Sequence, residues 1–537
     1  MPIDCIPFED TGYFSNLVCD YLKQEEKLAS FYRSFPSDAA FLTHAKERNK
    51  QFPKTHRRIL VEVLKEQYQN IETSSETQQA IQLLAEDTTV TITTGHQLNL
   101  FSGPLYFLYK IISTINLSEK LSENYKDINV VPVFWMATED HDFEEINHFT
   151  LHGKKFKWSP ERYSDNANGA VGRFTTEGLE DVLKLLKAEL GVGHQAEYLV
   201  KLFEDTYLNH NTLAEATRYL TNELFAKYGL VILDADHPKL KQLFVPTVLD
   251  ELQHQTSYKA VTNTSKHLES ANYPVQVSAR EINLFYLTET SRERIVNVDG
   301  TFGVVDSDKI WNTDQELFEE VSAHPERFSP NVIMRPLYQE TILPNICYIG
   351  GGGELAYWFE LKTYFDKVEV PFPVLLLRNS VLLRTDKQYG KQQKLRVSNE
   401  ELFLKQHELI NRKVRQISNI NIDFSTQKAH LKDQFEAMYA LAEKTDATFL
   451  GAVKAQEVKQ LKGLDHLEQR LLKAQRLKLK DEVSRLVALQ NELFPLKSLQ
   501  ERTINFSEFY LEYGDQLINE LKENLDPLSH EFSILTL

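Results

Sequence analysis

The sequence predicts an α/β protein: a mostly parallel sheet, interrupted by two insertions and followed by an α-helical coiled coil. Three observations carry this expectation. Short apolar, β-branched runs alternate with segments of helical periodicity, the pattern of βαβ units. Two long gaps separate the runs and mark insertions. From about Ser398 the chain turns polar, leucine-spaced and nearly free of Gly and Pro, which is coiled-coil patterning. With 537 residues the chain exceeds one ordinary core, so about two to four domains are expected.

The elements follow in order. Residues 1–150 hold N-terminal helices, among them Leu60–Tyr68 and one ending near Leu84, and the first half of the sheet core. Its strands are Val90–Thr93 and Val130–Met136. A helix opening at Pro104 runs between them through Leu105, Leu108, Ile111, Ile112 and Ile115; Pro suits a first helical turn, where its missing N–H costs nothing. The first insertion, 151–225, reads as a short strand (Phe156–Trp158) and a helix (Leu179–Leu190). Core returns over 226–254 with Leu230–Leu233. In the second insertion, 255–330, the runs Pro274–Ser278, Leu284–Leu287 and Arg294–Val298 suggest a small antiparallel unit. The second half of the core, 331–390, carries Ile346–Ile349 and Val374–Leu377. Residues 391–500 form the helical domain and 501–537 a final helical segment near Phe506–Leu525.

Within the helical domain, Ser398-Asn399-Glu400-Glu401 has the form of a capping box. Leu431, Phe435, Met438 and Ala442 follow four-three-four spacing, and Leu472, Leu479, Leu486 and Leu493 recur every seven, with Val483 between. Asp446 is placed to cap a helix running to Pro495. Such a helix is roughly 70 Å long at about 1.5 Å per residue. It cannot bury its stripe alone, so it must pair with 425–445 and with a second subunit. A bundle within one chain is the alternative.

Composition narrows the function. The formal charge of −17 disfavours a nucleic-acid partner, which needs clustered Lys and Arg. The three cysteines, Cys5, Cys19 and Cys347, form no CxxC pair, so neither a structural zinc site nor a disulfide scaffold is expected. A low cysteine count suits a reducing cytoplasm. No signal peptide and no apolar run long enough to span a membrane are visible.

Three clusters carry candidate chemistry. The first is Gly95-His96-Gln97-Leu98-Asn99-Leu100-Phe101-Ser102-Gly103-Pro104-Leu105-Tyr106, a polar turn between strand and helix. In an open α/β sheet such turns lie at the carboxyl edge, where ligands bind. The second, Trp135 to His148, follows the next strand and holds Glu139, Asp140, His141, Asp142, Glu145, Asn147 and His148. So many carboxylates repel one another unless solvent, a cation or a cationic ligand offsets them. His141 and His148 share a helical face if the segment is helical. With Asp142 or Glu145 they suit a divalent metal; equally, the cluster suits amine recognition or a general base. A solvated acidic helix start is the plain alternative. Both clusters are expected at one cleft. The third cluster is Gly350, Gly351, Gly352, Gly353 and Glu354 before a helix containing Tyr357. It resembles a nucleotide-cradling turn but is neither a Walker A loop nor a dinucleotide fingerprint. Arg335, close to Gln339, and Arg378 each stand near a turn and suit a carboxylate or phosphate. Cys347 reads as a small buried side chain.

The segments TGHQLNLFSGPLYFLYK, PVFWMATEDHDFEEINH, RPLYQETILPNICYIGGGGELAYW and LFPLKSLQERTINF together resemble the bacillithiol biosynthesis cysteine-adding family, also called BshC. The resemblance implies a Rossmann-like core, inserted connecting-peptide domains and a coiled coil that makes a homodimer. It implies addition of cysteine to the amine of glucosaminyl malate. His96, Asp140, His141 and Asp142 would be catalytic. Gln97, Asn99, Ser102, Tyr106, Trp135, Glu139, Glu145, Asn147, His148, Arg335, Gln339, Tyr357 and Arg378 would bind substrate. The core is similar to that of class I aminoacyl-tRNA synthetases, so Gly95 and Gly350–Gly353 with Glu354 would hold ATP or another nucleotide. Amide formation from a free carboxylate needs a leaving group, which is why activation is expected. The metal is left open. The competing readings are a metal-dependent hydrolase or amidase using His141, Asp142 and His148, and a non-catalytic dimeric scaffold.

Overall fold

Five runs of β-branched residues form the central sheet: β1 (Thr89–His96), β2 (Asn129–Met136), β3 (Val231–Asp234), β4 (Asn345–Gly350) and β5 (Val374–Leu377). Their spatial order is β5-β4-β1-β2-β3, with every neighbouring pair parallel. The computed structural model describes residues 3–159 and 169–537. β1 is buried along its whole length, as a parallel strand covered on both faces must be. Helix α1 (Tyr106–Asn124) crosses from β1 to β2. Its Leu117 and Leu121 share a core with Val90, Ile92, Ile346 and Leu376 of the sheet, joined by Phe41 and Ala45 of the helix Asp38–Gln51. The chain builds outward from β1 to β3, then returns to the other side of β1. The strand order therefore reverses between β1 and β4, the place where open α/β sheets form a crevice.

The turn after β1 is tightly specified. β1 continues through Gly95 and His96, and a single 3-10 turn (Leu100–Ser102) follows. Phe101 and Ser102 have φ of 49° and 68°, a conformation that side-chain-bearing residues adopt only when their surroundings fix it. Asn505 does so, donating from Nδ2 to the carbonyls of Phe101 at 2.7 Å and Gly103 at 2.6 Å.

The first insertion contains a hairpin (His148–Leu151 with Lys154–Lys157) and the helices Leu179–Leu190, His194–Leu208 and Leu213–Phe225. The second opens with the helix Thr256–Ser270 and forms a five-stranded antiparallel sheet around Leu284–Leu287 and Arg292–Val298. Pro274–Ser278, expected as a strand, has no regular structure. The N–H groups of Gln276 and Val277 go instead to one carboxylate oxygen of Glu360.

The chain forms two compact units. One comprises chiefly Tyr13–Leu382 and Ser498–Leu535; the other is built on Leu383–Lys497. In the second, α2 (Ser425–Ala442) and α3 (Ala447–Lys478) form a helical hairpin closed by Phe435, Ala442 and Val453. Asp446 caps α3, accepting from the N–H groups of Thr448 and Phe449. Ser398 and Glu401 form the reciprocal capping box. The single helix expected to run to Pro495 breaks at Leu479, and α4 (Lys480–Leu493) continues beyond it. α4 packs on Asp386–Leu395 and Gln406–Ile417. Leu486 and Leu493 are fully buried there, so this half of the heptad stripe is covered within its own unit. No helix of the described residues is long and apolar enough to cross a membrane.

Candidate active site

The carboxyl ends of β1 and β2, with the turn after β4, open into a cavity of about 890 Å³, a size that suits small-molecule ligands. Its walls are Gly95–Gln97, the loop after β2, the Gly351–Glu354 turn, and residues of the second insertion between Gln276 and Arg294.

One wall is acidic. Gln97 Nε2 donates to Asp140 Oδ2 and to Glu145 Oε2, each at 2.9 Å. The first two sequence clusters thus meet, and one amide group separates two carboxylates without neutralising either. Asp140 also accepts from the His141 N–H at 2.8 Å. Behind this loop, the buried ammonium of Lys241 pairs with Glu139 at 2.6 Å and with Asp236 at 3.1 Å. Burial pushes the Glu139 carboxyl up, although Lys241 pulls it down. Glu139 therefore anchors the loop.

The His141 ring contacts the buried Arg292, whose Nη1 lies 2.9 Å from Nδ1. Guanidinium only donates, so Nδ1 is the acceptor and the ring proton sits on Nε2. Burial, then Arg292, holds this imidazole below its ordinary pKa. A neutral ring protonated at Nε2 can donate a hydrogen bond from that atom.

The opposite wall is built on the glycine turn and the helix it opens, Gly352–Lys367. Glu354 caps this helix, accepting from the Gly351 N–H at 2.8 Å and the Tyr348 hydroxyl at 2.6 Å. Its other partner is Lys110 of α1, at 2.7 Å, which also donates to the Gly95 carbonyl at 2.6 Å. Burial pushes Glu354 up, but Lys110 and these donors outweigh it and hold the carboxyl low. His96 lies between Tyr106 and Phe107. Burial, then Lys110 and Arg378, drives its pKa far down, so it is neutral, and its buried Nε2 has no hydrogen-bond partner among the described residues. Arg335 rests over Trp135 and Tyr348 and donates to Gln339 and the Tyr357 hydroxyl. It makes no ion pair among the described residues, and neither does the exposed Arg502, also a lining residue.

Residues 1–379 match the family description "Bacillithiol biosynthesis BshC, N-terminal Rossmann-like domain", and residues 381–537 match "Bacillithiol biosynthesis BshC, C-terminal coiled-coil domain". The chain belongs to the BshC family. A relative from Christiangramia forsetii is 58% identical over 100% of this chain and 99% of its own length. One from Flavobacterium johnsoniae is 55% identical over 100% of both. A more distant relative from Salinibacter ruber is 29% identical over 97% of this chain and 96% of its own. All three carry the name "Putative cysteine ligase BshC".

In this BshC chain the cavity gathers Gly95, His96, Gln97, Tyr106, Trp135, Glu139, Asp140, His141, Glu145, Arg335, Gly351, Gly352, Gly353, Glu354, Tyr357 and Arg378. Arg378 lines the cavity while its two terminal nitrogens grip the buried carboxylate of Glu501 at 2.8 and 3.1 Å. Seven expected residues stand outside the lining. Asn99 and Ser102 are buried in the strained turn. Asp142 is exposed at the head of the single helical turn Phe143–Ile146. Asn147 is buried, and His148 begins the hairpin strand. Gln339 is buried beneath Arg335, and Gly350 closes β4. Because the helix ends at Ile146, His141 and His148 share no helical face. No group of three His, Cys, Asp or Glu among the described residues is arranged to hold a metal. Sequence reasoning missed Lys110, Tyr348, Arg280, Arg292, Arg294 and Arg502. Lys110 did leave a signal: a lone charge within the apolar run from Leu105 to Ile115. The insertion arginines left none.

Proposed function

We propose that this chain joins L-cysteine to the amine of glucosaminyl malate, forming an amide in the last step of bacillithiol biosynthesis. Membership of the BshC family and the relatives' name, cysteine ligase, support this reading. The observation that carries it is the two-faced cavity. Carboxylates bridged by Gln97 stand on one side; unpaired guanidiniums and a helix N-terminus stand on the other.

The acidic side holds the acceptor's ammonium. Asp140 takes up its proton and leaves a lone pair, while Gln97 fixes the carboxylate's direction. The glycine side holds the cysteine carboxylate, and Arg335 stabilises negative charge on its oxygen as nitrogen attacks carbon. Holding both partners in one chamber converts a two-molecule encounter into a local step. The residues on the glycine side also suit an anionic activating group. Arg335 and Arg502 make no ion pair among the described residues, and a Cβ on Gly353 would meet open space beyond its own helix. Glu354 already occupies the Gly351 N–H, so contact would come through Gly352 and Gly353. A nucleoside triphosphate, ATP in this proposal, would transfer a phosphoryl or nucleotidyl group to the cysteine carboxylate oxygen, and the amine's attack would break that carbon–oxygen bond and expel phosphate or the nucleoside monophosphate. Purified protein given cysteine, glucosaminyl malate and ATP should yield the thiol product by mass spectrometry. Folded protein that yields none with any nucleoside triphosphate would overturn the reading.

We propose further that the helical unit pairs two copies of the chain. Met438, Leu441, Phe449, Leu450, Val458 and Leu467 of the hairpin are exposed by 40–62%, an apolar surface that a second copy would cover.

A further inference from the structure

The wall formed by residues 274–283 has no regular structure, yet two buried carboxylates pin it. Glu360, fully buried, accepts from the N–H groups of Gln276 at 2.7 Å and Val277 at 3.2 Å. Glu251, 1% exposed, accepts from the Asn283 N–H at 3.1 Å and from Ser257. Asn283 in turn clasps Arg280 from both sides. Its Oδ1 accepts from the Arg280 N–H at 3.1 Å, and its Nδ2 donates to the Arg280 carbonyl at 2.8 Å. Asn331, itself in the cavity wall, donates to the same Oδ1 at 2.8 Å. Burying a carboxylate is unfavourable unless hydrogen bonds compensate, and here two of them fix an otherwise free segment. What the segment presents is the side chain of Arg280: exposed, lining the cavity, and without an ion pair among the described residues. Arg294, on the neighbouring strand pair of the same insertion, is likewise exposed and unpaired in the lining.

Resting on the ligase reading above, we propose that Arg280 is the specificity residue for the acceptor's dicarboxylate half, with Arg294 as its second guanidinium. Asn283, Glu251 and Glu360 are positioning residues that hold the Arg280 backbone. Two adjacent carboxylates suit two planar forks, each able to bind bidentately. Arg335 is engaged with Gln339 and with Tyr357 of the helix that the glycine turn opens, and Arg292 with His141, Ser329 and the Pro330 carbonyl. That leaves the insertion pair for the malate end, in the same cavity as the acidic loop that takes the amine.

The test is calorimetric binding of glucosaminyl malate, and of its dimethyl ester, to the full-length protein, to Arg280→Gln and to Arg280→Lys. Arg280→Gln should weaken glucosaminyl malate about 10- to 100-fold, the worth of a charge-assisted contact, and leave the ester unchanged. Arg280→Lys should fall between. Asn283→Ala should narrow the preference for the diacid over the ester, which loss of packing alone would not do. Arg280 is exposed, so its replacement should not disturb folding, and circular dichroism checks this. If wild type binds the diacid and Arg280→Gln binds it equally well, the proposal fails while the ligase reading stands. If wild type binds neither compound, both fail.

Discussion

Asp140 and Asp142 are two positions apart and stand in different surroundings. Asp140 faces the cavity, hydrogen-bonded by Gln97, whereas Asp142 is exposed outside it. Asp140→Asn should therefore lower product turnover by about 10²–10⁴-fold, the usual loss of a general base. Asp142→Asn should leave turnover near wild type in the same steady-state assay. His96 gives a second expectation. Its folded pKa lies well below the ordinary 6.5 because of burial, Lys110 and Arg378. As pH falls below 6.5, the unfolded imidazole binds a proton that the folded one refuses, so folding stability drops on acidification. His96→Gln should flatten this slope between pH 6.5 and 5 in urea titrations of both proteins; equal slopes would contradict it. The sequence identifies residue types well here, because a strand's end points toward the sheet edge. It does not separate Asp140 from Asp142, since a one-turn helix rather than a long one follows them.

At the level of elements, strands and crossover helices were legible wherever the apolar period was unbroken. Val374–Leu377 and Leu284–Leu287 have the bounds expected of them. The misreadings fall where distant partners decide. Pro274–Ser278 has a strand's composition, but its N–H groups go to Glu360, 80 and more positions away. The turn after β1 is shaped by Asn505, which no local pattern announces. Gly103 tests that turn. Its φ is +66°, and a Cβ would stand 2.7 Å from Cβ of Asn99. Gly103→Ala should cost roughly 2 kcal/mol or more, from strain and clash together, read as a lower urea midpoint with an unchanged slope. An unchanged midpoint would mean that the turn relaxes freely.

For the molecule as a whole, the heptad leucines foretold a helical unit but not which of its faces is free. Leu486 and Leu493 are buried against helices of the same unit, while Leu441 and Leu467 of the hairpin are exposed. The pairing surface we propose is therefore that of the hairpin rather than the leucines nearest Pro495. The full-length protein should sediment as a dimer at micromolar concentration, and the double variant Leu441→Glu, Leu467→Glu should sediment as a folded monomer. A wild-type monomer would remove the proposal.

Arg378 and Glu501 bear on how the chamber comes into being. The guanidinium and its carboxylate lie 123 positions apart and are both buried. A buried charge left without its partner is destabilising by about 3–5 kcal/mol. A ribosome makes Arg378 long before Glu501, and the last strand, Phe532–Thr536, which pairs with Ile3–Ile6, later still. The growing polypeptide thus holds most of the sheet with a charge awaiting its counterion. The tie between a cavity-lining guanidinium and its carboxylate therefore forms only after synthesis has run 123 positions beyond Arg378.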